Sequence, residues 1–192
     1  SSQGPLLVTG EGCVDIAAGI RSTFVVDAAG HVRGWGIWDG SMDPFPGQYQ
    51  LPGGVINGPN DVRRIAVVAG GVALATLRSD GSVQAWRAPV YGESSTEPVQ
   101  IELPSDLGTV VDIGPSYRRF IRIRSREMAS GVIRTVPVDL GDGNGFIDGS
   151  DGLVSYPGPV SALGGGPSLE TVTFSADGSA WTEFRTADML RS

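Results

Sequence analysis

Three segments of this chain carry residue types whose spacing could do chemistry. The first is Trp35-Gly36-Ile37-Trp38-Asp39-Gly40-Ser41-Met42-Asp43-Pro44-Phe45-Pro46. Read as a long loop, it offers Trp38, Met42 and Phe45 as anchors for a protein partner, with Asp39 and Asp43 as polar contacts. Binding residues concentrate on loops of rigid scaffolds, and aromatic anchors carry most interface energy. An exposed ring there would also suit a sugar face, with Asp39 or Asp43 bonding hydroxyls. The competing reading places Trp35 in the core and packs Trp38 down onto the loop. The second segment is Tyr117-Arg118-Arg119-Phe120-Ile121-Arg122-Ile123-Arg124-Ser125-Arg126. Ile121 and Ile123 alternate with Arg122, Arg124 and Arg126, so a strand here has one apolar and one basic face. Arg118, Arg119, Arg122 and Arg124 could then hold carboxylates or phosphates through forked hydrogen bonds. The plainer alternative is that they pair with neighbouring acids and shield the strand.

The third segment runs from Leu140 to Asp151 and reads L-G-D-G-N-G-F-I-D-G-S-D. With Gly145 at the sixth position of a calcium loop, Asp142, Asn144, Asp148 and Asp151 fall at the third, fifth, ninth and twelfth. Ile147 falls at the eighth, where such loops are apolar. The pattern resembles EF-hand-type and dockerin-type loops and implies a weak calcium site on those four oxygen ligands. It departs from them in Leu140 at the first position, in the short Asp151 at the last and in flanks that read as strands. A Gly/Asp-rich turn between two strands is the alternative. No other cofactor is indicated.

Recognised catalytic patterns are missing from the sequence. It has no G-x-S-x-G elbow, no phosphate loop and no H-E-x-x-H. The single histidine, His31, adjoins a turn glycine, and the single cysteine, Cys13, precedes an apolar strand. One of each gives no internal disulfide, no thiol metal cluster and no nucleophile–base pair beyond what His31 could supply. Carboxylates from separate repeats could still meet as an acid/base pair for hydrolysis.

Composition narrows the classes further. The formal net charge of −7 argues against a non-specific nucleic-acid binder. All 14 basic residues are Arg, as a GC-rich genome favours. No apolar run reaches membrane-spanning length. The apolar fraction of 40% excludes a disordered chain, and 29 Gly with 13 Pro suit a turn-dense all-β fold. The opening Ser1-Ser2-Gln3-Gly4 reads as a mature end left by cleavage or as an arbitrary boundary. With the calcium-like loop, it points to an extracellular or cell-surface location.

The elements that must position these segments come from a repeat. VDIAAGIRSTFVVDAAGHVRGW (Val14 to Trp35) returns as VRRIAVVAGGVALATLRSDGSVQAW (Val62 to Trp86). Further copies run from Val110 to Val136 and from Val160 to Trp181. Gly30, Gly81, Gly131 and Gly178 mark a period of about 50 residues, in the range of strand-built arrays and propellers. In the second copy Ile65–Val68 and Val72–Leu77 are apolar runs, and Asp80-Gly81 is a hairpin dipeptide. Val83–Trp86 follows as a third strand, and Val99–Leu103 alternates as a half-exposed fourth. Tyr49–Leu51 and Leu153–Tyr156 are the fourth strands of copies one and three. The last copy lacks one, and Pro5–Val8 at the N-terminus is spare, so it is expected to close the last blade.

These copies resemble the RCC1-like repeat, the unit of a seven-bladed propeller family. The resemblance rests on Ile16-Ala17-Ala18-Gly19, Thr23-Phe24-Val25-Val26, Gly30 and Val32-Arg33-Gly34-Trp35-Gly36 in the first copy. The second supplies Ile65-Ala66, Asp80-Gly81 and Val83-Gln84-Ala85-Trp86. The family's His is absent from every copy, and the third and fourth copies lack the tryptophan at its place. The resemblance implies a partner-binding platform without catalysis. The expected architecture is all-β, a propeller of about four RCC1-like four-stranded blades in one domain over 1–192. Its repeats run approximately over 10–52, 58–104, 108–157 and 158–192, with the closing strand at 5–8. Other possibilities are a piece cut from a longer propeller and a half-ring that pairs with a second copy, so the chain is expected as a monomer or such a homodimer. The expected partner is another protein; a carbohydrate, with calcium assisting, is the alternative, and acid/base hydrolysis the third.

Overall fold

The computed structural model describes residues 12–39, 48–51, 53–68, 72–89, 97–115, 120–138, 152–165 and 170–184. They form four antiparallel sheets in succession, with no helix among the described residues. Blade one holds β1 (Cys13–Ala18), β2 (Ser22–Asp27), β3 (Val32–Asp39) and β4 (Gln48–Gln50), with the short β5 (Gly54–Val55) also on β3. The second comprises β6 (Val62–Val68), β7 (Ala73–Arg78), β8 (Val83–Arg87) and β9 (Val99–Ile101). Blade three is β10 (Val110–Pro115), β11 (Phe120–Ser125), β12 (Val132–Pro137) and β13 (Gly152–Ser155). In blade four β14 (Val160–Gly165), β15 (Glu170–Ser175) and β16 (Ala180–Phe184) are described. This is the blade order of a β-propeller, and the fourth strands fall where the sequence places them in blades one to three. The expected closing strand Pro5–Val8 lies outside the described residues.

The hairpin glycines explain the tight second turns. Gly30, Gly81 and Gly178 have φ of 79°, 87° and 87°, a region that L side chains rarely adopt. In each, the glycine N–H bonds back three residues, to the carbonyl of Asp27, Arg78 or Ser175. Gly131 does not share this role. The third hairpin is longer, and there the N–H of Met128 bonds to Ser125 O at 3.4 Å. Gly131 instead lies against the carbonyls of Tyr156 and Gly158, 2.8 and 2.9 Å from where a Cβ would sit.

Every blade begins with the same irregularity. The pairing of the first two strands shifts between Cys13 and Asp15, Val62 and Arg64, Val110 and Asp112, and Val160 and Ala162. Such a bulge re-aims the side chain that follows it. The four equivalent positions after the bulge are therefore Asp15, Arg64, Asp112 and Ala162. Next to them lie Ile16, Ile65, Ile113 and Leu163.

The core lies between blades. Phe24, Val26, Val32 and Trp38 of blade one meet Val62, Ile65, Leu74 and Trp86 of blade two. Ala75, Leu77 and Ala85 of blade two meet Val110, Ile113, Ile121 and Ile123 of blade three. The third junction has a smaller apolar cluster of Ile133, Val160 and Leu163, with Tyr156 against it. Backbone bonds repeat at each junction: Val62 N to Gly30 O (2.9 Å), Val110 N to Gly81 O (3.0 Å) and Val160 N to Ser130 O (2.7 Å).

Candidate binding surface

Trp38 is not on a loop. Gly36, with φ of 91°, sits 2.2 Å from Arg21 O at the position a Cβ would take, and Ile37 N bonds that same carbonyl at 2.9 Å. This kink lets β3 continue through Trp38 to Asp39. The Trp38 ring is wholly buried, edge-on to Phe24 at 5.1 Å, and its Nε1 donates to Val72 O at 3.1 Å. The expected partner anchor is thus a core residue that ties blade one to blade two. Asp39 ends β3, where its backbone pairs with Gln48. Met42, Asp43 and Phe45 lie outside the described residues.

The alternation of β11 is present, and its basic face is turned inward between blades. Ile121 and Ile123 point into the junction with blade two. Arg122 is 4% exposed and reaches blade four. Its Nε donates to Pro115 O at 2.8 Å, its Nη1 to Thr173 Oγ1 at 2.8 Å, and its Nη2 to Gly164 O. Thr173 Oγ1 in turn donates to Tyr156 OH at 3.1 Å. Arg124 donates to Ser161 O at 3.1 Å. Buried Arg122 is therefore a junction tie and has no face to offer a carboxylate partner. Arg118 and Arg119 lie outside the described residues.

The positions after the bulges form a second tie, which sequence reasoning missed. Asp15 Oδ2 accepts from Ile65 N at 2.8 Å, and Asp112 Oδ2 accepts from Leu163 N at 2.8 Å. Each carboxylate thus caps an amide of the next blade. Arg64 pairs with Asp112 Oδ1 at 2.9 Å and donates to Leu163 O at 2.9 Å, so one guanidinium spans blades two, three and four. Burial pushes the Asp112 carboxyl above its ordinary range, against the pull of Arg64 and the Leu163 amide. A buried acid with a raised pKa can mark a catalytic site. Here its oxygens already accept from Arg64, Ile113 N and Leu163 N, and the side chain is 2% exposed. That describes a structural tie. The signal in the sequence was the recurring Val-Asp-Ile of Val14-Asp15-Ile16 and Val111-Asp112-Ile113, which only three-dimensional equivalence makes meaningful.

The other perturbed acids work in turns. Asp27 is held below the ordinary value although burial opposes it, because His31 N, Ala29 N and the Arg33 guanidinium all donate to it. Asp80 and Asp177 accept from the hydroxyl and amide of Ser82 and Ser179, which lower both. Among the described residues no group of three His, Cys, Asp or Glu could hold a metal. The calcium-like residues Asp142, Asn144, Asp148 and Asp151 lie outside them.

Topology sorts the two faces of the array. Strands alternate in direction within a blade, and each junction repeats the same bonds, so the ends of all first and third strands share one face. The tight turns at Gly30, Gly81 and Gly178 share the other. β3, β10 and β12 end on the first face, at Asp39, Pro115 and Pro137. Residues 40–46, 117–119 and 140–151 of the three segments singled out in the sequence follow those strand ends along the chain.

No protein-family model and no curated protein matches this sequence. Solved structures do match in fold. The chain is similar to human WBSCR16, with a TM-score of 0.61 at 15% identity over 93% of this chain and 49% of that one. It is similar to yeast RCC1 (Prp20), solved bound to Kap60, with a TM-score of 0.52 at 16% identity over 93% and 44%. The computationally designed Ika4 protein matches with a TM-score of 0.52 at 13% identity over 97% of this chain and 100% of that one. The fold is that of a β-propeller. This chain spans about half the length of the first two proteins.

Proposed function

We propose that this protein is a non-catalytic propeller that binds a protein partner through the face on which β3, β10 and β12 end. The observation that carries the reading is the division of labour between charged groups. Asp15, Arg64, Asp112 and Arg122 are committed to holding blades together, and Asp27, Asp80 and Asp177 to turns. The residues left for recognition are Asp39, which ends β3, with Met42, Asp43 and Phe45 after it along the chain, and Arg118 and Arg119 after β10 along the chain. Loops on a rigid scaffold are where binding residues concentrate, and aromatic and Arg side chains dominate interface energy. Yeast RCC1 (Prp20), which is similar in fold, was solved bound to Kap60; fold alone does not carry function across.

The test is capture on immobilised protein with Phe45→Ala/Arg119→Ala as the comparison. A protein retained by the wild type and lost by the double variant, with folding intact by circular dichroism, is the expected result. Loss of capture in free monosaccharide would replace this reading with a lectin. Retention by both forms would remove the face from consideration. Trp38→Ala is unsuitable here, because it would empty a core site.

A further inference from the structure

The two ends of the array expose apolar residues at positions that the internal junctions cover. Ile65, Ile113 and Leu163 are 5%, 1% and 2% exposed, each against the preceding blade, whereas the equivalent Ile16 is 63% exposed. Val14 and Ile20 beside it are 55% and 74% exposed. At the other end, Val26 and Leu77 are wholly buried against the following blade, Arg124 at the same place in blade three is half-buried, and the equivalent Phe174 is 43% exposed. The turns show the same thing. A Cβ on Gly30 would lie 3.1 Å from Val62 N, and one on Gly81 would lie 2.9 Å from Thr109 Cγ2. Gly178 has the same φ as Gly81, yet nothing lies within 4 Å of its Cβ position, nor of that on Gly12 before β1. Among the described residues, no bond from Cys13 N to the Gly178 turn parallels those of Val62 and Val110. Among the described residues the array is an open arc, and its two end faces correspond to the two sides of its internal junctions.

We propose that a second copy of this chain covers both ends, first blade on last blade, so that two copies close one eight-bladed ring. A partner on the β1 face must present the surface of a second strand and its turn, as Val26 and Gly30 do for blade two. Any partner on the Phe174 face must present a bulged first strand. A second copy presents both at once. The arc matches 49% of the WBSCR16 chain and 44% of the yeast RCC1 chain, so those longer chains carry more than this arc supplies alone. Head-to-tail contacts close into a ring when the rotation allows it. This surface is separate from the loop face, and the proposal stands or falls independently of the partner reading.

The experiment is light scattering behind size exclusion on the full chain over a dilution series. The wild type should run at about 40 kDa, twice the 20.0 kDa of one chain. Ile16→Glu and Phe174→Arg should each run as monomers, and mixing them should restore the dimer. The mixture has one native junction and one in which Glu and Arg face each other. Leu153→Glu, at a 68% exposed site on the outer strand β13, should leave the dimer unchanged. A wild-type monomer throughout overturns the proposal without reference to any variant. So does a dimer that only one of the two end variants dissociates, because that is a head-to-head contact. An open polymer overturns the closed ring.

Discussion

Carboxylates in this protein contribute to stability with opposite pH dependence according to what surrounds them. Asp177 sits in an exposed turn, where the Ser179 hydroxyl (2.7 Å) and amide (2.9 Å) and the Ser175 side chain stabilise its charge and lower its pKa to about 2. A lowered acid contributes stability above its unfolded pKa and loses it as pH falls through the folded one. The Asp177 contribution is therefore full above about pH 4 and disappears toward pH 2. Asp177→Ala should lower Tm at pH 6, and the gap to wild type should narrow between pH 4 and pH 2; a gap constant over that range would sink the assignment. Asp112 has the reverse sign. Its raised pKa means that the folded state holds the proton longer, so its contribution declines as pH rises through the folded value. Above that, the Arg64 pair and the two amides are what keep the buried charge tolerable.

At the scale of elements, hairpins and junctions are one device, because the turn glycine of one blade abuts the first strand of the next. Gly81→Ala must accept a φ of +87°, with a Cβ 2.9 Å from Thr109 Cγ2 and 3.2 Å from Val110 O. Gly178→Ala meets the same φ with open space around it. Left-handed strain costs about 1 kcal/mol in each, and the Gly81 variant should lose roughly 1–2 kcal/mol more from the displaced neighbour. Urea melts in the Phe174→Arg background measure the difference, and equal losses would mean that the junction gives way freely. The repeat was legible because Asp80-Gly81 and Asp177-Gly178 advertise their turns and because β11 alternates Ile with Arg. Gly131 misled: Met128 occupies the turn position with an ordinary φ, and sequence cannot tell a lengthened hairpin from a shifted one. Trp38 misled for another reason. Gly36 looks like a strand end, yet its absent Cβ is what lets Arg21 O approach and the strand run on. The inter-blade roles of Asp15, Arg64 and Arg122 were hidden, since periodicity reports which face a side chain takes and not which polar atom waits across the junction.

Across the whole molecule, the three junctions are unequal, and a repeat array is as stable as its intrinsic blades plus nearest-neighbour interfaces. Blade two is apolar on both faces: Leu74 and Trp86 pack on blade one, while Ala75 and Leu77 pack on blade three. Each buried Leu or Ile contributes about 1.5–3 kcal/mol relative to exposure. The third junction relies far more on polar ties, with Arg122 on Thr173 and Gly164, Arg64 on Leu163, and Asp112 on the Leu163 amide. Hydrogen bonds of this kind contribute about 0.5–3 kcal/mol each, with much of the gain offset by desolvation. Blade four also has Phe174 on a face that no described residue covers. It should therefore open at lower free energy than the rest, while blades two and three unfold together. Hydrogen exchange followed by mass spectrometry on the Phe174→Arg monomer should show the amides of β14, β15 and β16 exchanging first and those of β7 and β11 last. In the proposed dimer, protection of β15 should rise toward that of β7, because the second copy would supply the missing face. Uniform exchange across all four blades would mean that the polar junction couples blades as firmly as the apolar ones. Early exchange that persists in β15 of the dimer would place the contact between copies away from the Phe174 face.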